Sequence, residues 1–257
     1  MGGILKSTWE MLHDGRFLKK ALMIACPVAL QGMLNTIVNM VDTLMIGGLG
    51  STAIAAVGLA NKVFFVFSLL VFGIVSGGGI LAAQFWGSGD VKNIRKVLGL
   101  CVMLAMVGAM FFVVPALTAP RMVMRIFTTS EGSIELGAKY LRIAALSYPF
   151  IALTNVYVAM LRATNKVVFP VICSCIAIVV NICLNYVLIF GKFGAPTMGV
   201  AGAACATLTA RCIEVTLVLF YVYGKKLPLA CGPKGMFGWH KAFYHSVFGN
   251  IRPGHCK

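Results

Sequence analysis

Six apolar stretches dominate this chain, and each is long enough to cross a bilayer as a helix. They run over residues 21–46, 54–85, 97–117, 137–161, 167–190 and 198–224. Crossing the hydrocarbon core takes about 20 helical residues at roughly 1.5 Å each. The apolar period is helical throughout, not the alternation of an outer-membrane strand. Backbone groups in lipid must bond within their own segment, so the expected fold is all-α, a six-helix integral membrane bundle. Composition agrees: 60% of the 257 residues are hydrophobic and only 11% are charged. A soluble domain has about 25% charged residues.

The net charge of +15 would suggest nucleic acid in a soluble protein, but here its placement follows the positive-inside rule. Lys6, Arg16, Lys19 and Lys20 precede the first run. Lys92, Arg95 and Lys96 join the second to the third, and Arg162 with Lys166 joins the fourth to the fifth. Lys225, Lys226, Lys234, Lys241, Arg252 and Lys257 follow the sixth. The opposite loops hold only Arg121, Arg125 and Lys192. Both termini are therefore expected in the cytoplasm, as an even number of crossings requires. Lys62, Lys139 and Arg142 lie near run ends, where long side chains snorkel.

Three parts are expected. Residues 1–20 read as a basic amphipathic surface segment, 21–224 as the six-helix lobe, and 225–257 as an amphipathic cytoplasmic tail. The first run is too long for a cleaved signal, and Glu10 and Asp14 precede it. The closing residues "GNIRPGHCK" read as the end of a shortened chain.

Several functions are excluded at this level. No Gly-Lys-Ser/Thr follows the glycines of "SGGGI", so they are read as a site of close helix approach and not a phosphate loop. The nine cysteines show no C-x-x-C spacing. No nucleophile–base set is visible, and an enzyme is not expected. Uphill movement of a substrate would then need an ion gradient.

The residues that do not belong in lipid carry the functional reading. Gln31, Asn35, Asn39 and Asp42 fall within about 80° of one helix face at 100° per residue. An acid in such a run is costly and is a functional candidate by default. It can carry a proton or, with oxygen neighbours, bind Na⁺; the bland alternative is a structural hydrogen bond to a neighbouring helix. Pro27, one turn before Gln31, removes a helix hydrogen bond and permits a bend. In the fifth run Asn181 and Asn185 share a face at i, i+4. Their amides can ligate an ion, hold Asp42, or simply join helices. The fourth run offers Tyr148, Pro149, Thr154 and Asn155; Tyr148 with Pro149 can shape a cavity wall, with packing plus a kink as the favoured reading. In the sixth, Arg211 and Glu214 at i, i+3 read as a structural ion pair. Thr207 reads as a packing hydroxyl or an ion ligand.

The segments "VDTLMIGGLGSTAIAAVGLANKV", "AAQFWGSGDVKNIRKVLG" and "MGVAGAACATLTARCIE" resemble the multidrug and toxic compound extrusion (MATE) transporters over roughly residues 15–248. The resemblance implies two lobes of six helices around a central cavity, exporting cationic lipophilic drugs in exchange for Na⁺ or H⁺ across the bacterial cytoplasmic membrane. It implies that Asp42 is the coupling carboxylate of the first helix, with Asn181 and Thr207 beside it and Pro27 at the bend. Asn185 stands where many relatives have an aspartate, which removes one negative charge. Gln31, Asn35, Asn39, Tyr148 and Asn155 are then assigned to the substrate cavity. One lobe alone implies a homodimer or a second-lobe polypeptide as partner, besides the lipid bilayer. The competing readings are a non-transporting membrane fragment or interaction protein, and a flippase for a lipid-linked saccharide. The mid-span bases are few for phosphate recognition, which disfavours the flippase.

Overall fold

The computed structural model describes residues 15–194, 196–230 and 232. Among these there is no strand. The helices are α1 (Gly15–Gly47), α2 (Ser51–Gly87), α3 (Val91–Thr118), the short α4 (Pro120–Arg125), α5 (Glu131–Ala144), α6 (Tyr148–Ala163), α7 (Val168–Phe190) and α8 (Val200–Gly224). Five spans are long and apolar enough to cross a membrane: α2, α3, the α5–α6 unit Glu131–Ala163, α7 and α8. α1 occupies the first of the six expected runs. Its described span is Gly15–Gly47, so residues 15–20 are helical at the level of the backbone. The remainder of the amphipathic N-terminus, and the tail reading from residue 233 onward, lie outside the described residues.

The fourth run is divided in two, and Pro149 explains why. Proline has no N–H for the carbonyl of Ala145, four residues earlier. Tyr148 N–H bonds to that carbonyl instead, which tightens Ala145–Ser147 into a 3₁₀ turn. Ser147 Oγ adds a 2.6 Å bond to Ala144 O. The chain then continues as α6.

α2, α3, α5 and α6, joined by Val218 and Val222 of α8, enclose the main core, built on Phe67, Leu98, Leu141, Met160 and Leu161. α7 packs along α8, and α1 packs principally against α7. α7 ends at Gly191 in the left-handed region (φ 65), where a residue without Cβ is unstrained. Small residues set the closest approaches. A Cβ on Gly202 of α8 would stand 2.7 Å from the carbonyl oxygen of Leu188 in α7. Of the three glycines in "SGGGI", only Gly78 meets a neighbouring helix, against Cys101 and Met160; Gly77 and Gly79 have open space.

A second apolar cluster joins the ends of α1, α2, α7 and α8: Ile46, Ala53, Val57, Ile189, Val200 and Ala203. This end, containing Gly47, Phe190 and Val200, is called the upper end below.

Candidate functional site

One turn beneath that apolar cap, three helices each present a polar side chain. Asp42 is four residues from Ile46, Asn185 four from Ile189, and Thr207 four from Ala203, so each lies below a member of the cap. Asn185 Nδ2 donates to Asp42 Oδ1 at 2.5 Å and to Asn181 Oδ1 at 3.3 Å. Asn181 Nδ2 reaches Thr207 Oγ1 at 3.5 Å, the limit of a hydrogen bond. Thr207 directs its own proton to Ala203 O at 3.1 Å, leaving its lone pairs toward Asn181. Asn185 is 1% exposed, and its Oδ1 has no hydrogen-bond partner. The cluster therefore combines a carboxylate, two amide oxygens and a hydroxyl, and one of its buried acceptors is unsatisfied. Such an orphan costs about 1–3 kcal/mol unless something positive approaches it. Tyr140 of α5 and Arg211 of α8 are within electrostatic reach of Asp42.

Toward the other end a second polar layer connects four helices. Arg162 Nη2 donates to Gln31 Oε1 at 2.5 Å, and Gln31 Nε2 donates to Ser174 Oγ at 2.6 Å. Ser174 Oγ donates to Glu214 Oε1 at 2.7 Å, and Arg211 Nη1 donates to Glu214 Oε2 at 2.7 Å. Every donor in this chain points toward one carboxylate, 4% exposed. The Arg211–Glu214 pair expected from its spacing is present. The rest of the layer was not anticipated. Arg162, read as a loop cation, lies in the last turn of α6 and reaches inward. Ser174 could have been found by its spacing, since Ser174, Asn181 and Asn185 fall within about 40° of one face of α7.

The four-residue stripe on α1 divides. Gln31 and Asp42, about 20° apart on the helix, both turn to α7. Asn35 and Asn39 drift around the helix and stand exposed, as does Asn155 on α6. Tyr148 is placed in the core, 2% exposed and stacked on Phe67 with ring centroids 4.7 Å apart. Its ring meets two α2 rings, Phe64 at 5.8 Å and Phe67. Pro27 lies within the continuous α1. Among the described residues no group of three His, Cys, Asp or Glu side chains could hold a metal, and the cysteines are free.

A bundle of long apolar helices with acids and amides held on an inner wall has the architecture of a membrane transporter. A family model described as MatE matches residues 27–187, and the chain belongs to this family of multidrug and toxic compound extrusion transporters. It is 31% identical to the probable multidrug resistance protein NorM of Thermotoga maritima, over 81% of this chain and 45% of that protein. It is also 31% identical to the probable multidrug resistance protein YoeA of Bacillus subtilis, over 79% of this chain and 44% of the relative. The chain thus spans about half the length of the curated relatives it matches. Among solved structures, a MATE family multidrug resistance transporter in an outward-facing conformation superposes with a TM-score of 0.79 at 21% identity, covering 90% of this chain and 50% of the other. A MOP superfamily transporter from Pyrococcus furiosus, described as having a binding pocket of reverse polarity, gives the same values. The fold is therefore that of one MATE lobe.

Proposed function

We propose that this chain forms one lobe of a multidrug exporter of the cytoplasmic membrane, driven by exchange with a monovalent cation bound at Asp42, Asn181, Asn185 and Thr207. The observation that carries this reading is the orphaned Asn185 Oδ1 beside the Asp42 carboxylate. A cation among these oxygens, Na⁺ or a hydrated proton, satisfies the orphan and neutralises the acid together. The multidrug assignment comes from the relatives, which are probable multidrug resistance proteins.

Coupling follows from differential stabilisation of two states. With the cation bound, Asp42 and Asn185 hold the upper half of α1 against α7. With it gone, the fastening changes, and Pro27 lets α1 take another bend. Asn35 and Asn39 stand exposed on one side of α1, and Met33, Ile37, Met40 and Leu44 on the opposite side. Exposed amides without a fixed charge suit lipophilic cations of varied shape, which are the substrate class proposed. Alternating access rocks one repeat against another, so transport takes a second six-helix lobe, whether in one polypeptide, a second chain or a second copy.

Ethidium accumulation in efflux-deficient cells tests this. The wild-type chain, with its second lobe, should lower accumulation, and Asp42→Asn at equal expression should abolish the effect. Equal efflux by the two would remove Asp42 from the coupling site.

A further inference from the structure

The two polar layers share a helix. On α8, Thr207, Arg211 and Glu214 fall at i, i+4 and i+7, within about 60° of one face. Thr207 belongs to the upper layer and Glu214 to the lower, and Arg211 stands between them. Its guanidinium is bonded to Glu214, and its backbone lies one turn from Thr207, which meets Asn181 in the upper layer. We propose that Arg211 is an internal counter-ion that competes with the coupling cation for Asp42, exchanging between Glu214 and Asp42 as that cation leaves and returns.

Three observations support the exchange. The first is reach. Helix side chains lean toward their own N-terminus, which on α8 is the upper end, so Arg211 leans from its backbone toward Thr207. Four residues, about 6 Å, separate the two along the axis, less than an extended arginine side chain covers. The second is room: the Arg211 side chain is 36% exposed whereas that of Glu214 is buried. The acid is fixed and the base is free to move.

The third is that Glu214 keeps partners when Arg211 leaves. Ser174 donates to its other oxygen, and Gln31 and Arg162 orient that serine. A guanidinium therefore remains behind the lower layer at the far end of the hydrogen-bond chain. Among the described residues, α7 carries no charge and α2 only Lys62, which is exposed; α5 presents the phenol of Tyr140, and its own cations, Lys139 bonded to Glu135 and Arg142, are exposed. Cys173 is the other titratable group near Glu214.

This inference rests on Asp42 being the cation site, and its test separates the two. Thermal unfolding of the purified full chain in detergent would be followed against NaCl, with choline chloride as control, and against pH. Wild type, Arg211→Lys, Arg211→Met, Asp42→Asn and the Arg211→Met/Asp42→Asn double variant would be compared. Removing the competing charge should lower the NaCl half-saturation by about tenfold or more, or move the stabilising protonation about one unit to higher pH. Arg211→Lys keeps the charge and should stay near wild type, while Asp42→Asn should abolish the response in both backgrounds. If Arg211→Met matches wild type, or if Lys and Met shift alike, Arg211 acts through packing and the proposal fails. If Asp42→Asn responds as wild type does, the cation site itself is wrong and the proposal fails with it.

Discussion

Asn185 is the residue whose identity most affects the candidate site. Its amide donates to Asp42 and to Asn181 while its own oxygen is left without a partner. An aspartate there could donate nothing, and two carboxylates side by side resist ionising together unless a cation lies between them. Asn185→Asp is therefore expected to make the chain more dependent on cations. NaCl should raise its unfolding temperature by more than it does for wild type, and in choline chloride the variant should be the less stable of the two. A smaller sodium effect in the variant would show that no cation enters this cluster. The residue chemistry here was legible in the sequence to a definite extent. Spacing put Asn181 with Asn185 and Arg211 with Glu214, because both pairs lie on one helix. It could not choose which of Gln31, Asn35, Asn39 and Asp42 would turn inward. That choice depends on the line along which α7 crosses α1, which neither helix encodes alone.

At the scale of elements, the interface between α7 and α8 supports both polar layers, and Gly202 sets its spacing. A side chain there meets the backbone of Leu188, which cannot rotate away. Gly202→Leu should push the helices apart at the cap, lengthen the Asn181–Thr207 contact, and destabilise by about 1–3 kcal/mol through overpacking. Thermal unfolding checks the stability, and a lost NaCl response checks the geometry; an unchanged melting temperature would mean that the helices adjust freely. The start of α3 makes a simpler case. Asp90 accepts from Asn93 N–H at 3.1 Å and from Asn93 Nδ2 at 2.6 Å, capping the helix. Asp90→Ala should cost about 1 kcal/mol, read as a lower melting temperature with the NaCl response intact. Helix positions were the most legible feature of this chain, since apolar length alone places them to within about six residues, the polar first turns of Val91–Thr118 and Glu131–Ala144 lying outside the apolar runs. The 3₁₀ turn at Ala145–Ser147 was visible only as a possible kink at Pro149. The inward reach of Arg162 was hidden because a cation at a helix end reads first as a snorkelling or loop charge.

For the whole molecule, the unequal loop charges and the unequal faces of the bundle make related demands. Apolar side chains such as Phe72, Phe111 and Phe220 stand exposed and suit lipid. Asn35 and Asn39 are exposed as well, and amides facing hydrocarbon are expensive. That face of α1 accordingly belongs against water or a second lobe, and the bundle has a definite orientation about its axis. Its orientation across the membrane follows from charge. The α2–α3 turn leads into Lys92, Arg95 and Lys96, while the α3–α5 connection holds only Arg121 and Arg125. Translocating the first group is disfavoured, so the α2–α3 turn should be cytoplasmic and the α3–α5 connection outside. Ser88 and Ser130 are exposed in these two segments. In intact cells a membrane-impermeant maleimide should label Ser130→Cys above the wild-type background and should reach Ser88→Cys only after permeabilisation. The reverse pattern would turn the lobe over, place the upper cation site at the cytoplasmic surface, and require the ion and drug fluxes proposed above to exchange directions.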